Sequence, residues 1–167
     1  MDREALIRNI QRAIQTERDG NLYYMRAAEA TKDSKAEAMF NQLARDELYH
    51  INVLEDFYSD LLQNVPGERV EGFPIFEDRK KELGGAMPEF GNDYEVLQKA
   101  LSDEIEARDY YRKKAGQFEE IKAKDLFLDL AEMEEGHVRL LQAEIDFLEK
   151  TGFYFDHMEF DVEGEKG

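Results

Sequence analysis

Glu47 and His50 stand three positions apart in the stretch RDELYH (45–50), and Glu134 and His137 repeat that spacing in EMEEGH (132–137). On an α-helix, residues three apart differ by about 60° in direction and about 4.5 Å along the axis. Each carboxylate and imidazole therefore project from one face and can meet at a common point. One oxygen and one nitrogen donor at that spacing suit a divalent transition metal. With 24 glutamates among 167 residues, the bare spacing is weak, and its weight depends on what accompanies it.

The elements that must position these residues are helices. Leu6, Ile10, Ala13, Ile14, Tyr24 and Ala28 recur at three- and four-residue steps and predict a helix over about residues 2–31. A second is expected from Ser34, with Glu37 completing a capping box, to about Asn64; its apolar stripe runs Phe40, Leu43, Ala44, Ile51, Leu54, Phe57, Tyr58 and Leu61. A third follows Gly91, with Asn92 and Glu95 as its capping box, and carries Leu97, Leu101, Tyr111 and Ala115. The fourth carries Ile121, Phe127, Leu130, Ala131, Val138, Leu141, Ile145 and Leu148 and stops at Thr151-Gly152. Residues 65–91 hold all three prolines and five of the eleven glycines, so they read as a connection. The joins near 31–34 and 116–120 are short, which makes helices one and two, and three and four, antiparallel neighbours. The expected fold is all-α, a four-helix bundle with one long crossover between helices 2 and 3. Residues 1–150 form it, as two pseudo-repeats of about 1–64 and 92–150 joined by the 65–91 crossover, and 151–167 are a C-terminal tail.

A shift of 87 positions superimposes one half on the other without a gap. It matches Ala13, Glu17, Tyr23, Tyr24 and Ala28 to Ala100, Glu104, Tyr110, Tyr111 and Ala115, and Phe40, Leu43, Ala44, Glu47, His50 and Leu54 to Phe127, Leu130, Ala131, Glu134, His137 and Leu141. One hairpin is used twice. The polar residues kept on both apolar stripes are Glu17 and Glu104, Glu47 and Glu134, His50 and His137, and this combination is far more specific than either three-residue spacing alone. Four carboxylates facing one another in a dry core are costly through desolvation and repulsion unless protonated or met by cations. Two divalent ions cancel four negative charges, which points to a dinuclear site. Iron is the expected metal, with manganese or zinc also suited to the donors; two ferrous ions can pass two electrons to hydrogen peroxide or dioxygen.

Neighbouring residues divide into those expected to support the site and those expected to face solvent. Tyr24 and Tyr111 come seven positions after Glu17 and Glu104, close to the same face, and can hydrogen-bond to carboxylates or simply pack. Gly20 and Ala107 lie three positions after the same glutamates and leave room for access or for close helix packing. Asp46, Glu132 and Glu135 point about 100° or more from the ligand direction and read as a solvated face. His157 sits in the tail FYFDHMEFDVEGEKG without a partner in the repeat and reads as a surface or interface residue.

Composition narrows the partners. Lys and Arg number 22 against 39 Asp and Glu, a net charge of −17 that disfavours nucleic acid and anionic membrane surfaces. No cysteine occurs, which removes disulfides, thiolate metal sites and iron–sulfur clusters. The N-terminal stretch is charged and no run of about 18 apolar residues follows, so a cytoplasmic location is expected.

On Glu17, Glu47-x-x-His50, Glu104 and Glu134-x-x-His137, over roughly residues 2–150, the chain resembles the rubrerythrin and ferritin-like di-iron carboxylate family. The resemblance implies a ferritin-like bundle in which each metal takes one histidine and one carboxylate from helix one or three, with Glu47 and Glu134 bridging. It also implies a non-haem di-iron oxidoreductase that uses hydrogen peroxide or dioxygen in oxidative-stress defence. Rubrerythrins receive electrons through an iron–sulfur domain of rubredoxin type. Without cysteine this chain would rely on a separate donor such as a rubredoxin, and it is expected to be a homo-oligomer, dimer or larger. Typical rubrerythrins carry a further glutamate at the position of Ala107, a departure that bears on peroxidase activity. Ferritins share the helices and a similar ligand set, so ferroxidase and iron storage form a second reading, although the tail shows no clear fifth helix. A third is a non-catalytic bundle that metals hold together, serving as a structural or binding module.

Overall fold

A computed structural model of the chain describes residues 3–61 and 93–152. Four α-helices fill them: α1 (Arg3–Ala30), α2 (Ser34–Leu61), α3 (Asp93–Ala115) and α4 (Ile121–Thr151), with no strand among the described residues. The expected ends at Asn64 and Asn92, the crossover 65–91 and His157 lie outside the described residues. None of the four helices is long and apolar enough to cross a membrane.

α1 packs on α2 and α3 on α4 as two hairpins. The direction of the second hairpin follows from contacts at the ends. Thr31, in the α1–α2 turn, lies 3.3 Å from Asp93 Oδ2 at the start of α3, whereas Gln11 near the start of α1 donates to Tyr58 Oη near the end of α2 at 2.9 Å. Leu61 and Asp93 are therefore at opposite ends of the bundle, and α2 and α3 run the same way. That up-down-down-up order is the ferritin-like arrangement with one long crossover.

The apolar stripes meet in two separate clusters. One joins Leu6, Ile10 and Ile14 with Ile51, Leu54, Tyr111 and Phe127; the other joins Tyr24, Phe40, Leu43, Leu97, Leu140 and Leu141. In every helix the two clusters are separated by a short interval, and those intervals contain Glu17, Glu47, His50, Glu104, Glu134 and His137.

Helix ends set the register of these intervals. At the close of α4, Gly152 adopts φ 75°, in the left-handed region open to glycine, and its N–H returns to the Leu148 carbonyl at 2.8 Å. The cap of α2 is Asp33, one residue before the expected Ser34. Its Oδ1 accepts from the N–H groups of Lys35 at 2.8 Å and Ala36 at 3.1 Å, and its carbonyl accepts from Glu37 N–H at 2.9 Å. A charged carboxylate serves two orphan donors and the positive end of the helix dipole better than a hydroxyl. Asp33→Ala should therefore cost about 1 kcal/mol and Ser34→Ala about 0.5 kcal/mol or less, measured by urea unfolding of each variant.

Candidate metal centre

Each helix delivers its polar residues to the layer between the apolar clusters: Glu17 from α1, Glu47 and His50 from α2, Glu104 from α3, Glu134 and His137 from α4. All six are at most 2% exposed. They form two interlocking groups. Glu17, Glu47, His50 and Glu134 can each offer one ligand atom with all of them within 4.8 Å of one another, and so can Glu47, Glu104, Glu134 and His137. Glu47 and Glu134 belong to both groups. The His50 and His137 rings are stacked, with centroids 5.1 Å apart and planes inclined at 24°.

The Nδ1 atoms face inward. His50 Nδ1 lies 3.0 Å from Glu17 Oε2, 3.2 Å from Glu47 Oε2 and 3.6 Å from Glu134 Oε1. His137 Nδ1 lies 3.2 Å from Glu134 Oε2, 3.4 Å from Glu104 Oε1 and 3.5 Å from Glu47 Oε1. The near two-fold relation expected from the repeat is present in these contacts. The tyrosines reach carboxylates as well, but across the bundle: Tyr24 donates to Glu104 and Tyr111 to Glu17. Seven residues along one helix is about 10.5 Å, too far for a tyrosine to bond the glutamate of its own helix. Because α1 and α3 are antiparallel, each ring instead lies level with the glutamate of the other.

Burial acts on the four carboxyls unequally. Glu134 is pushed up to about 8, by burial first and then by the charges of Glu17 and Glu104. Glu47 is raised well above its usual range by burial and by the charges of Glu134 and Glu17. Burial also pushes Glu17 up, but hydrogen bonds with Glu47 and His50, the His50 charge and the Tyr111 hydroxyl outweigh it and hold the carboxyl at about 2. Glu104 is lowered in the same way, burial being outweighed by His137, Glu134 and Tyr24. His137 is raised well above its usual value: burial opposes the charged ring, and Glu104, Asp46 and Glu134 outweigh it. Burial and repulsion thus shift the two shared carboxyls towards the protonated form, whereas their partners shift the outer two towards the charged form.

The donor set fits divalent metal ions. Oε2 of Glu47, Glu104 and Glu134 is buried and accepts no hydrogen bond among the described residues, an expensive state for a carboxylate oxygen unless a cation meets it. The six donor residues fall into two overlapping groups of possible ligands that share Glu47 and Glu134.

The model of the rubrerythrin family matches residues 8–85 and 95–154, most of the chain. The chain belongs to the rubrerythrin family. It is also similar to the uncharacterized protein YhjR of Bacillus subtilis (strain 168), with 26% identity over 133 residues that cover 79% of this chain and 81% of YhjR. Among solved structures, a hypothetical protein from Pyrococcus furiosus shares the fold with a TM-score of 0.66 and 24% identity, covering 89% of this chain and 93% of that one.

Within this rubrerythrin-family bundle, three neighbours of the six residues differ from or refine the sequence reading. Asp46 is not on a solvated face: it is 6% exposed and its Oδ2 lies 3.4 Å from His137 Nε2. Its direction is off the ligand face of α2 but turns towards α4, a relation no single-helix projection contains. The signal was available in the repeat, where the counterpart of Asp46 is the apolar Met133, a sign that this register is sheltered. Glu132 is exposed and Glu135 half-buried, the latter paired with Arg108 at 2.8 Å, as expected of an outer face. Ala107 packs in the first apolar cluster and Gly20 is buried, which favours close helix packing at these positions.

The pKa pattern makes the metal-free protein sensitive to alkali. Glu134 titrates at about 8 folded against 4.5 ordinarily, so its contribution to stability is full below about 4.5 and is lost as pH rises through about 8. Glu47 and His137, both raised, act in the same sense, while the lowered Glu17 works only in the acid range between 4.5 and about 2. Melting temperature of chelator-treated protein should fall from pH 5 to pH 8, and excess Mn2+ should restore most at pH 8, where an ion replaces the lost protons. A metal-induced rise independent of pH would contradict this.

Proposed function

We propose that the chain is a di-iron oxidoreductase of rubrerythrin type, which oxidises a diferrous centre with hydrogen peroxide or dioxygen in oxidative-stress defence. The observation that supports it most directly is the sharing of Glu47 and Glu134 between two buried groups of carboxylates and one histidine each. In this reading Glu17 and His50 would hold one iron and Glu104 and His137 the other, with Glu47 and Glu134 within reach of both groups. When bound, two ferrous ions supply the two electrons that, with two protons, convert hydrogen peroxide to two waters.

The chain's own residues prepare that exchange. Tyr24 and Tyr111 fix one oxygen each of Glu104 and Glu17, so the outer carboxylates enter the reaction already oriented and need little rearrangement as charge develops. Burial and neighbouring charges shift the shared carboxyls towards the protonated form in the metal-free layer, and cation entry would be coupled to proton release. The two apolar clusters on either side exclude water from the layer, which strengthens every charge interaction inside it. These 167 residues hold no cysteine for an iron–sulfur centre, and the donor in this reading is a separate protein such as a rubredoxin.

Two measurements test the reading. Anaerobic ferrous titration should saturate at two ions per chain; Glu47→Ala or Glu134→Ala should weaken both binding events, whereas Glu17→Ala should weaken one. Rapid mixing of the loaded protein with peroxide and with oxygen should then show oxidation by one or both, peroxide being the faster. Assembly into a cage with a mineral core would instead indicate storage, and bound metal inert to both oxidants would indicate a structural role.

A further inference from the structure

Away from the buried layer the two hairpins differ in one groove. Leu22, Met25 and Leu48 of the first hairpin are 41%, 46% and 49% exposed, and Tyr49 next to them is 55% exposed. A shift of 87 positions carries the first three to Asp109, Arg112 and Glu135. Those are joined across α3 and α4, with Arg112 3.8 Å from Asp109 and 3.7 Å from Glu135, so this register lies on the outer groove between the helices of a hairpin. Contacts in the first hairpin agree: Asn21 Nδ2 donates to the Ala44 carbonyl at 2.7 Å and Arg18 to Glu55 at 3.2 Å, which sets Leu22 level with Leu48. One half of the repeat thus fills its groove with ion pairs. The other leaves apolar side chains in water, an unfavourable state that a partner surface relieves.

Charge around the groove differs in the same sense. Apart from the buried Glu17, Asp46 and Glu47, residues 15–26 and 41–52 carry four charges, Arg18, Asp19, Arg26 and Arg45, and are net positive. The shifted windows 102–113 and 128–139, apart from the buried Glu104 and Glu134, carry ten, six of them acidic. In a chain of net charge −17, the middle of the first hairpin is therefore a place where another acidic surface can approach without repulsion. We propose that the outer α1–α2 groove docks a second copy of this chain. The face is complementary to itself. A two-fold axis along the groove lays α1 of each copy over α2 of the other at the same level, so that Leu22 meets the partner's Leu48 and Leu48 the partner's Leu22. Arg18 and Glu55, with side chains 55% and 48% exposed, stand together at one rim, and the same axis sets each arginine against the partner's glutamate. Met25, Tyr49 and Arg45 complete the patch with residue types that gather at interfaces. The pairing involves none of the six buried donor residues and is independent of what they bind.

Sedimentation equilibrium of the full chain tests the proposal. Wild type should associate, and the triple substitution Leu22→Asp, Met25→Arg, Leu48→Glu should raise the dissociation constant about 100-fold or more. That variant copies the ion-paired triad of the second hairpin into the first, and its far-UV circular dichroism should match wild type. If it does not fold, Leu48→Glu alone serves and should weaken association in the same direction. The opposite face is the control: Leu128→Asn, which gives an exposed position of the second hairpin the residue of its counterpart Asn41, should leave association unchanged. Because the chain has no cysteine, Asn52→Cys and, at the same register of the second hairpin, Arg139→Cys each give one site for a spin label. The distance between labels in the pair should be shorter for Asn52→Cys. Wild type that sediments as a single chain would assign the groove to a different partner, and an assembly that survives the folded triple variant, or shorter label distances from Arg139→Cys, would place the contact elsewhere; each of these overturns the proposal.

Discussion

Four carboxyl groups and two imidazoles share one dry layer in the middle of this bundle, and the remaining structure is arranged around the cost of keeping them there. Charge without compensation is intolerable in such a place. In the metal-free chain, the shared carboxyls and His137 are shifted towards their protonated forms, which lessens it; metal cations would lessen it further, because they would also meet buried oxygen atoms that accept no hydrogen bond among the described residues. The apolar clusters above and below give the layer both its strain and its use. They hold the helices at fixed separation and keep water away from whatever charge the layer contains.

The split between raised and lowered carboxyls follows from topology. Glu47 and Glu134 come from the second helix of each hairpin and face other carboxyls of the cluster, which, with burial, raises them. Glu17 and Glu104 each have a tyrosine hydroxyl and a histidine beside them, and these outweigh burial. The antiparallel pairing of α1 with α3 makes that support reciprocal, each hairpin supplying the hydroxyl that orients the other's glutamate. A hairpin alone would lack both the tyrosine contact and the second shared carboxyl, so the centre is a property of the pair.

Duplication accounts for the near symmetry, and its departures are informative. Asp46 and Met133 occupy one register with opposite chemistry; Thr16, buried and bonded to the Arg12 carbonyl at 2.8 Å, corresponds to Asp103. Residues in the layer itself have been retained in both halves, whereas residues one position removed have diverged. The two halves thus share their donor residues and differ in the side chains packed beside them.

Helix periods, the short joins, the 87-residue repeat and the six donor residues were all legible in the amino-acid order, because each is local or is written twice. Periodicity along one helix tells which residues share its buried face, and charge arithmetic tells that four buried carboxylates need cations. What one helix cannot tell is which face of a neighbour it meets. That Tyr24 reaches Glu104 and Tyr111 reaches Glu17, and that Asp46 turns inward to His137, were decided only when the hairpins packed, since each of these depends on distances between atoms set by helix direction and crossing and by no spacing within the chain.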